Sequence, residues 1–244
     1  MTRCVKHERC PQCAKLGKDK HGDNLAIYDD NSDYCFSCGY STHANSTKVP
    51  QERGSKQPIY LPLDVDNFIP QFCCEWLQKY QLDELDYIQN KLLWSESLQR
   101  LIFPIFNTEG LLAWQGRYFG TNPKEAKWYS IGNMKIVYHI LGQKQRDSLV
   151  LVEDIVSAIK IAKYGHQSMP LFGSHIGMER LLFLRKLIDK IIIWLDPDKN
   201  KEALSTARLC DSLSISSRVI LSDRDPKDHS FEAIQKLLDT QTEV

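Results

Sequence analysis

Two Cys-x-x-Cys pairs, Cys10-Pro-Gln-Cys13 and Cys35-Phe-Ser-Cys38, constrain this chain more than any other feature. Each pair brings two thiolates to one ion, and the 21 residues between the pairs suit a single tetrahedral four-cysteine zinc site. A module this short cannot fold on apolar burial alone, so its folding energy has to come from the metal. A redox reading is weaker, because that chemistry needs one pair and not two. Cys4 and His7 sit just upstream, but four cysteines already close a structural site. Cys73, Cys74 and Cys210 fall in apolar helical stretches and read as buried thiols.

Eight cysteines without an apolar leader point to a reducing, cytoplasmic setting, and no apolar run approaches the length of a membrane span. The 31 basic and 31 acidic residues of the 244 cancel. Neither end departs from that balance: residues 1–58 carry nine Lys/Arg against seven Asp/Glu, and residues 149–244 thirteen against fourteen. A nucleic-acid partner would therefore be held by local patches, weakly and with strong salt dependence.

Residues 41–58 (STHANSTKVPQERGSKQP) are polar and contain Pro50 and Gly54, the composition of a flexible linker. Beyond it, Phe72, Trp76, Leu77 and Tyr80 recur at helical spacing, and Leu85, Tyr87, Ile88, Leu92 and Leu93 extend the pattern. Leu101–Asn107 and Leu111–Tyr118, joined by Thr-Glu-Gly, predict a hairpin. From residue 149 on, strands at 149–153, 168–172, 190–196 and 217–222 alternate with helices near 155–164, 178–187, 201–213 and 230–239. Such alternation predicts a parallel sheet flanked by helices, with ligands bound beyond the carboxyl ends of the strands. The fold class is thus α/β with an α+β portion before it.

Glu153, Asp196 and Asp198 stand at two of those strand ends. Carboxylates leaving buried strands are costly unless solvent or metal receives them, and oxygen ligands select magnesium or manganese. Strands also end commonly in Asp-Pro turns, which is the bland reading of Asp196-Pro197-Asp198, and Glu153 shifts the balance towards a metal site. A zinc module and a metal-dependent acidic site on one chain point to nucleic-acid chemistry.

Glu153 after one apolar strand and Asp196-x-Asp198 after a later one resemble the Toprim domain. Arg100-Leu-Ile-Phe-Pro104-Ile, Gly110, Gly116-Arg117 and Lys127-Trp-Tyr, just before it, are similar to the polymerase domain of bacterial and phage DNA primases, and Trp76-Leu-Gln-Lys-Tyr and the zinc ribbon fall in the same order. The resemblance implies a zinc ribbon that reads template (1–40), a linker (41–58), the N-terminal half of a primase polymerase core (59–148) and a Toprim domain (149–244). It implies one structural zinc on Cys10, Cys13, Cys35 and Cys38, and catalytic magnesium or manganese on Glu153, Asp196 and Asp198. Arg117, Lys127, Lys227, Asp228, Asp30 and His21 would meet template or nucleotide. Lys18, Tyr34, Phe36 and Tyr40 add residue types suited to base contacts.

The implied activity is DNA-dependent RNA polymerisation: short RNA primers made from ribonucleoside triphosphates on single-stranded DNA. The implied setting is the primosome of a phage in its host's cytoplasm, with a replicative helicase acting in trans because no P-loop is present. Two departures from the family pattern stand out at the acidic site, where Asp154 replaces a glycine and Ser157 an acid, and in the ribbon Ser32 replaces a histidine. The alternatives are a non-catalytic zinc/Toprim recombination mediator and a Toprim nuclease.

Overall fold

The computed structural model describes residues 4–41 except 16, 18, 20, 21, 30, 31, 36 and 39, together with 58–143 and 148–239. The expected linker lies almost wholly outside the described residues. Two compact units are present, Met1–Gln57 and Pro58–Val244.

In the first unit, β1 (Cys4–Glu8), β2 (Leu25–Tyr28) and β3 (Asp33–Cys35) form an antiparallel sheet in that order, and the short helix α1 (Pro11–Lys15) follows β1. Pro11 opens α1, a position where its missing N–H costs nothing. The interior consists of Cys10, Cys13, Cys35 and Leu25, with Ile27 and Tyr40 packed against them. Sulfur atoms take the place that apolar side chains fill in a larger domain.

The second unit begins with β4 (Val65–Asp66), α2 (Gln71–Gln78), α3 (Glu84–Gln89), β5 (Leu93–Ser95), β6 (Arg100–Asn107), β7 (Gly110–Tyr118) and β8 (Trp128–Ile131). Its five strands make an antiparallel sheet in sequence order. The expected hairpin is β6–β7, closed where the Asn107 side chain accepts the N–H groups of Glu109 and Gly110. Pro104 is tolerated inside β6 because β5 pairs only with Arg100–Ile102, leaving β7 as the neighbour that Pro104 must satisfy. The helical pattern expected through Leu92 and Leu93 stops earlier. Lys91 adopts a left-handed φ of 52° just after α3, and Leu93 begins β5.

There follow β9 (Ser148–Val152), α4 (Ile155–Lys163), β10 (Gln167–Pro170), α5 (Met178–Leu184), β11 (Lys190–Ile193), α6 (Asn200–Ser212), β12 (Ser216–Val219) and α7 (Phe231–Asp239). The four strands are parallel in the order β10-β9-β11-β12, as the alternation predicts. Successive residues of a strand face opposite sides. Leu149, Leu151, Ile191 and Ile193 accordingly pack with α5 and α6, and Val150, Val152, Ile192 and Trp194 with α4 and α7. A third cluster joins Ile155, Val156 and Ile159 of α4 to Leu77, Trp94, Leu101 and Phe103. That shared core fixes the start of α4, where the acids lie, relative to the antiparallel sheet.

Candidate active site

β9 ends at Val152 and α4 starts at Ile155, so Glu153 and Asp154 occupy the turn between them. Asp154 caps the helix: its Oδ1 accepts the N–H groups of Val156 (2.9 Å) and Ser157 (3.0 Å). After β11 the buried pair Trp194-Leu195 carries the chain to Asp196, which precedes Pro197. Proline bars the preceding residue from helical backbone, and Asp196 adopts φ −61°, ψ 152°. The same device recurs beyond β12, where Asp225 precedes Pro226 at φ −61°, ψ 148°.

These turns border a cleft of about 520 Å³. Glu153, Asp154, Asp196, Asp225, Lys227 and Asp228 line it from the parallel sheet's side, and Trp76, Tyr80, Arg117, Lys127 and Trp128 from α2, the antiparallel sheet and the residues flanking them. Among the described residues, buried Glu153 Oε2 and Asp196 Oδ1 have no hydrogen-bond partner. Burial pushes Asp196 up to about 7; Lys227 opposes this, while Asp225, Asp154 and Glu153 reinforce it. Burial likewise raises Glu153 against the pull of Lys199. Two buried oxygens without partners, in a cluster that resists ionising, form a donor set that suits a hard divalent cation.

The aromatic side of the cleft holds Arg117. Its guanidinium lies 5.4 Å from the Trp76 ring centre and 5.7 Å from those of Trp128 and Phe119, and Nε and Nη1 are buried without hydrogen-bond partners among the described residues. Lys127 is exposed at the same cleft. Lys227 bridges two acids, with Nζ 3.0 Å from Asp154 Oδ2 and 2.7 Å from Asp225 Oδ2. Asp198 is not among the cleft residues. It is exposed and ion-paired with Lys199.

Sequence reasoning did not single out Asp225, although Asp225-Pro226 repeats Asp196-Pro197 and was open to the same reading. Trp76, Tyr80 and Trp128 were read as core or family pattern and not as site residues, because aromatic spacing on a helix or strand gives no sign of which ring borders a cleft.

In the first unit the Sγ atoms of Cys10, Cys13, Cys35 and Cys38 all lie within 4.8 Å of one another, with Cys10–Cys38 at 3.5 Å and Cys13–Cys35 at 3.7 Å. Zinc–sulfur bonds of roughly 2.3 Å in a tetrahedron place sulfurs about 3.8 Å apart, so the cluster fits zinc. Buried Asp19 braces it by accepting the N–H of Cys10 at 2.7 Å and that of Gly22 at 2.8 Å. Cys4 and His7 remain exposed on β1, outside the cluster. Tyr34 is exposed and Tyr40 half-buried; Lys18, His21, Asp30 and Phe36 lie outside the described residues.

No protein-family model matches the sequence, and no curated protein matches it. Among solved structures, the zinc-binding and RNA polymerase domains of the Aquifex aeolicus primase match 98% of this chain and 80% of their own, with a TM-score of 0.59 and 14% identity. A DnaG catalytic core matches 68% of this chain and 72% of its own, with a TM-score of 0.53 and 15% identity. The chain shares the fold of bacterial primase domains. At this identity the likeness is one of architecture: a four-cysteine ribbon, then a mixed α/β unit with a parallel four-stranded sheet.

Proposed function

We propose that the chain is a DNA primase, a nucleotidyltransferase that makes short RNA primers on single-stranded DNA. The observation that carries this reading is the cleft, which gathers Glu153 and Asp196, each with a buried oxygen that has no partner among the described residues, together with Arg117 and Lys127. The shared fold supports it. Residues 59–148 and 149–244 together form the polymerase core, residues 1–40 read template, and residues 41–58 tether the two. A replicative helicase acts with it in trans.

Primer synthesis joins a ribose 3′-hydroxyl oxygen to the α-phosphorus of the next nucleotide and releases pyrophosphate. Bound magnesium or manganese supplies charge stabilisation of the attacking and leaving oxygens. Glu153 and Asp196 would hold the ion, Asp198 would join them on leaving its ion pair with Lys199, and Glu153 would assist in taking the hydroxyl proton. Arg117, oriented by three rings, neutralises triphosphate or template phosphate together with Lys127. Lys227 and Asp228 face the same substrate from the opposite wall. His21 and Asp30 are proposed to serve template reading in the ribbon.

The test is synthesis with labelled ribonucleotides across a library of single-stranded templates, with magnesium and manganese compared. Short RNA that requires both template and metal is expected. Metal-dependent cleavage of the templates without synthesis would replace this reading with a nuclease.

A further inference from the structure

We infer that the Lys227 ammonium holds the place of a second divalent cation, so that the cleft binds one such ion and not two; this rests on the metal-dependent reading above. Asp154, the acid next to Glu153, has no capacity left for a metal. Its Oδ1 accepts two backbone N–H groups, and its Oδ2 accepts the Ser157 hydroxyl at 2.8 Å and Lys227 Nζ at 3.0 Å. The same Nζ reaches Asp225 Oδ2 at 2.7 Å. One positive centre thus joins carboxylates from two different strand ends, the task a bridging metal performs in a two-ion site.

The ammonium is built in from below. Lys227 follows Pro226, and its carbonyl oxygen accepts a 2.7 Å hydrogen bond from Lys160 Nζ on α4. Lys160 is only 1% exposed, an unusual place for a lysine whose sole described bond goes to a main-chain oxygen. That bond anchors the Lys227 main chain beside the cleft, and withdrawing the ammonium would leave Asp154 and Asp225 facing each other without a cation. Among the described residues, the buried carboxylate oxygens without a partner are Glu153 Oε2 and Asp196 Oδ1, which together make one donor set. Charge agrees: five carboxylates and three basic side chains line the cleft, a deficit that one divalent ion closes.

The experiment counts Mn²⁺ bound at saturation to the full-length, zinc-loaded chain by electron paramagnetic resonance, in which zinc is silent. One Mn²⁺ is expected for the wild type and for Lys227→Arg, and two for Lys227→Met, which frees Asp154 and Asp225. A wild-type count of none or of two, or a count that stays at one in folded Lys227→Met, overturns the inference. If circular dichroism shows that Lys227→Met does not fold, the wild-type count decides: one ion supports it, two refute it. Primer synthesis measured in parallel separates the two claims. A wild type that binds one Mn²⁺ yet makes no primer on any template refutes the proposed function and leaves the cation count standing.

Discussion

The two units place their candidate metal-holding groups in opposite ways. In the ribbon three cysteines make up most of the interior, so the groups that hold the ion also form the core. In the larger unit four apolar clusters hold the sheets and helices together, and the acids sit at strand ends outside them. The difference separates two kinds of loss: removing zinc from the first unit should remove its fold, whereas in the proposed primase removing the divalent ion from the second should remove only its chemistry.

The sharpest way to break this contrast is Cys35→Ser. It is expected to abolish zinc binding and all ordered structure in residues 4–41, because structural zinc supplies roughly 10–16 kcal/mol in such modules. Residues 58–244 should keep their thermal transition. Amide exchange protection that persists in the ribbon of the zinc-free variant would show that the comparison is wrong.

Next in size, Asp196→Asn and Glu153→Gln should each lower primer synthesis about a hundredfold or more while leaving the melting temperature within a few degrees of wild type. Wild-type synthesis by both variants would make these acids ordinary turn residues.

A smaller effect concerns pH in the chelated protein. The Asp196 carboxyl titrates near 7 in the fold because of burial, against roughly 3.9 unfolded, so it keeps its proton when folded. Its contribution to stability is complete below the unfolded value and is lost as pH rises through about 7. Melting temperature should therefore fall by a few degrees between pH 5 and pH 8, Asp196→Asn should flatten that slope, and added Mn²⁺ should restore stability at pH 8. A melting temperature that rises over this range contradicts the assignment.

The finest probe is Ser157→Ala, which removes the hydroxyl donated to Asp154 at 2.8 Å. It should cost about 1 kcal/mol, a few degrees by calorimetry, with zinc content unchanged.

Much of this arrangement was legible in the sequence. The alternation after residue 149 and the hairpin at 101–118 were readable because burial on one or both faces leaves a period in the apolar residues. The thiolate cluster was readable because its ligands come in close pairs. The end of α3 was not, because Leu92 and Leu93 continue a helical pattern while Lys91 turns the backbone left-handed. Nor was the saturation of Asp154, which depends on Lys227, 73 residues away. Asp198 looked equivalent to Asp196 on the page, yet the short turn after Pro197 exposes it and pairs it with Lys199.

Pro104 carries a consequence for the behaviour of the protein in concentrated solution. β6 runs on for several residues beyond its pairing with β5, and an unpaired apolar strand edge is a template on which another chain can add. A proline there offers one donor fewer, and the Lys91 ammonium, 5.0 Å from the Phe106 ring centre, sets a charge beside the same stretch. The residue that looks least suited to a central strand thus sits where it costs the sheet no pairing with β5.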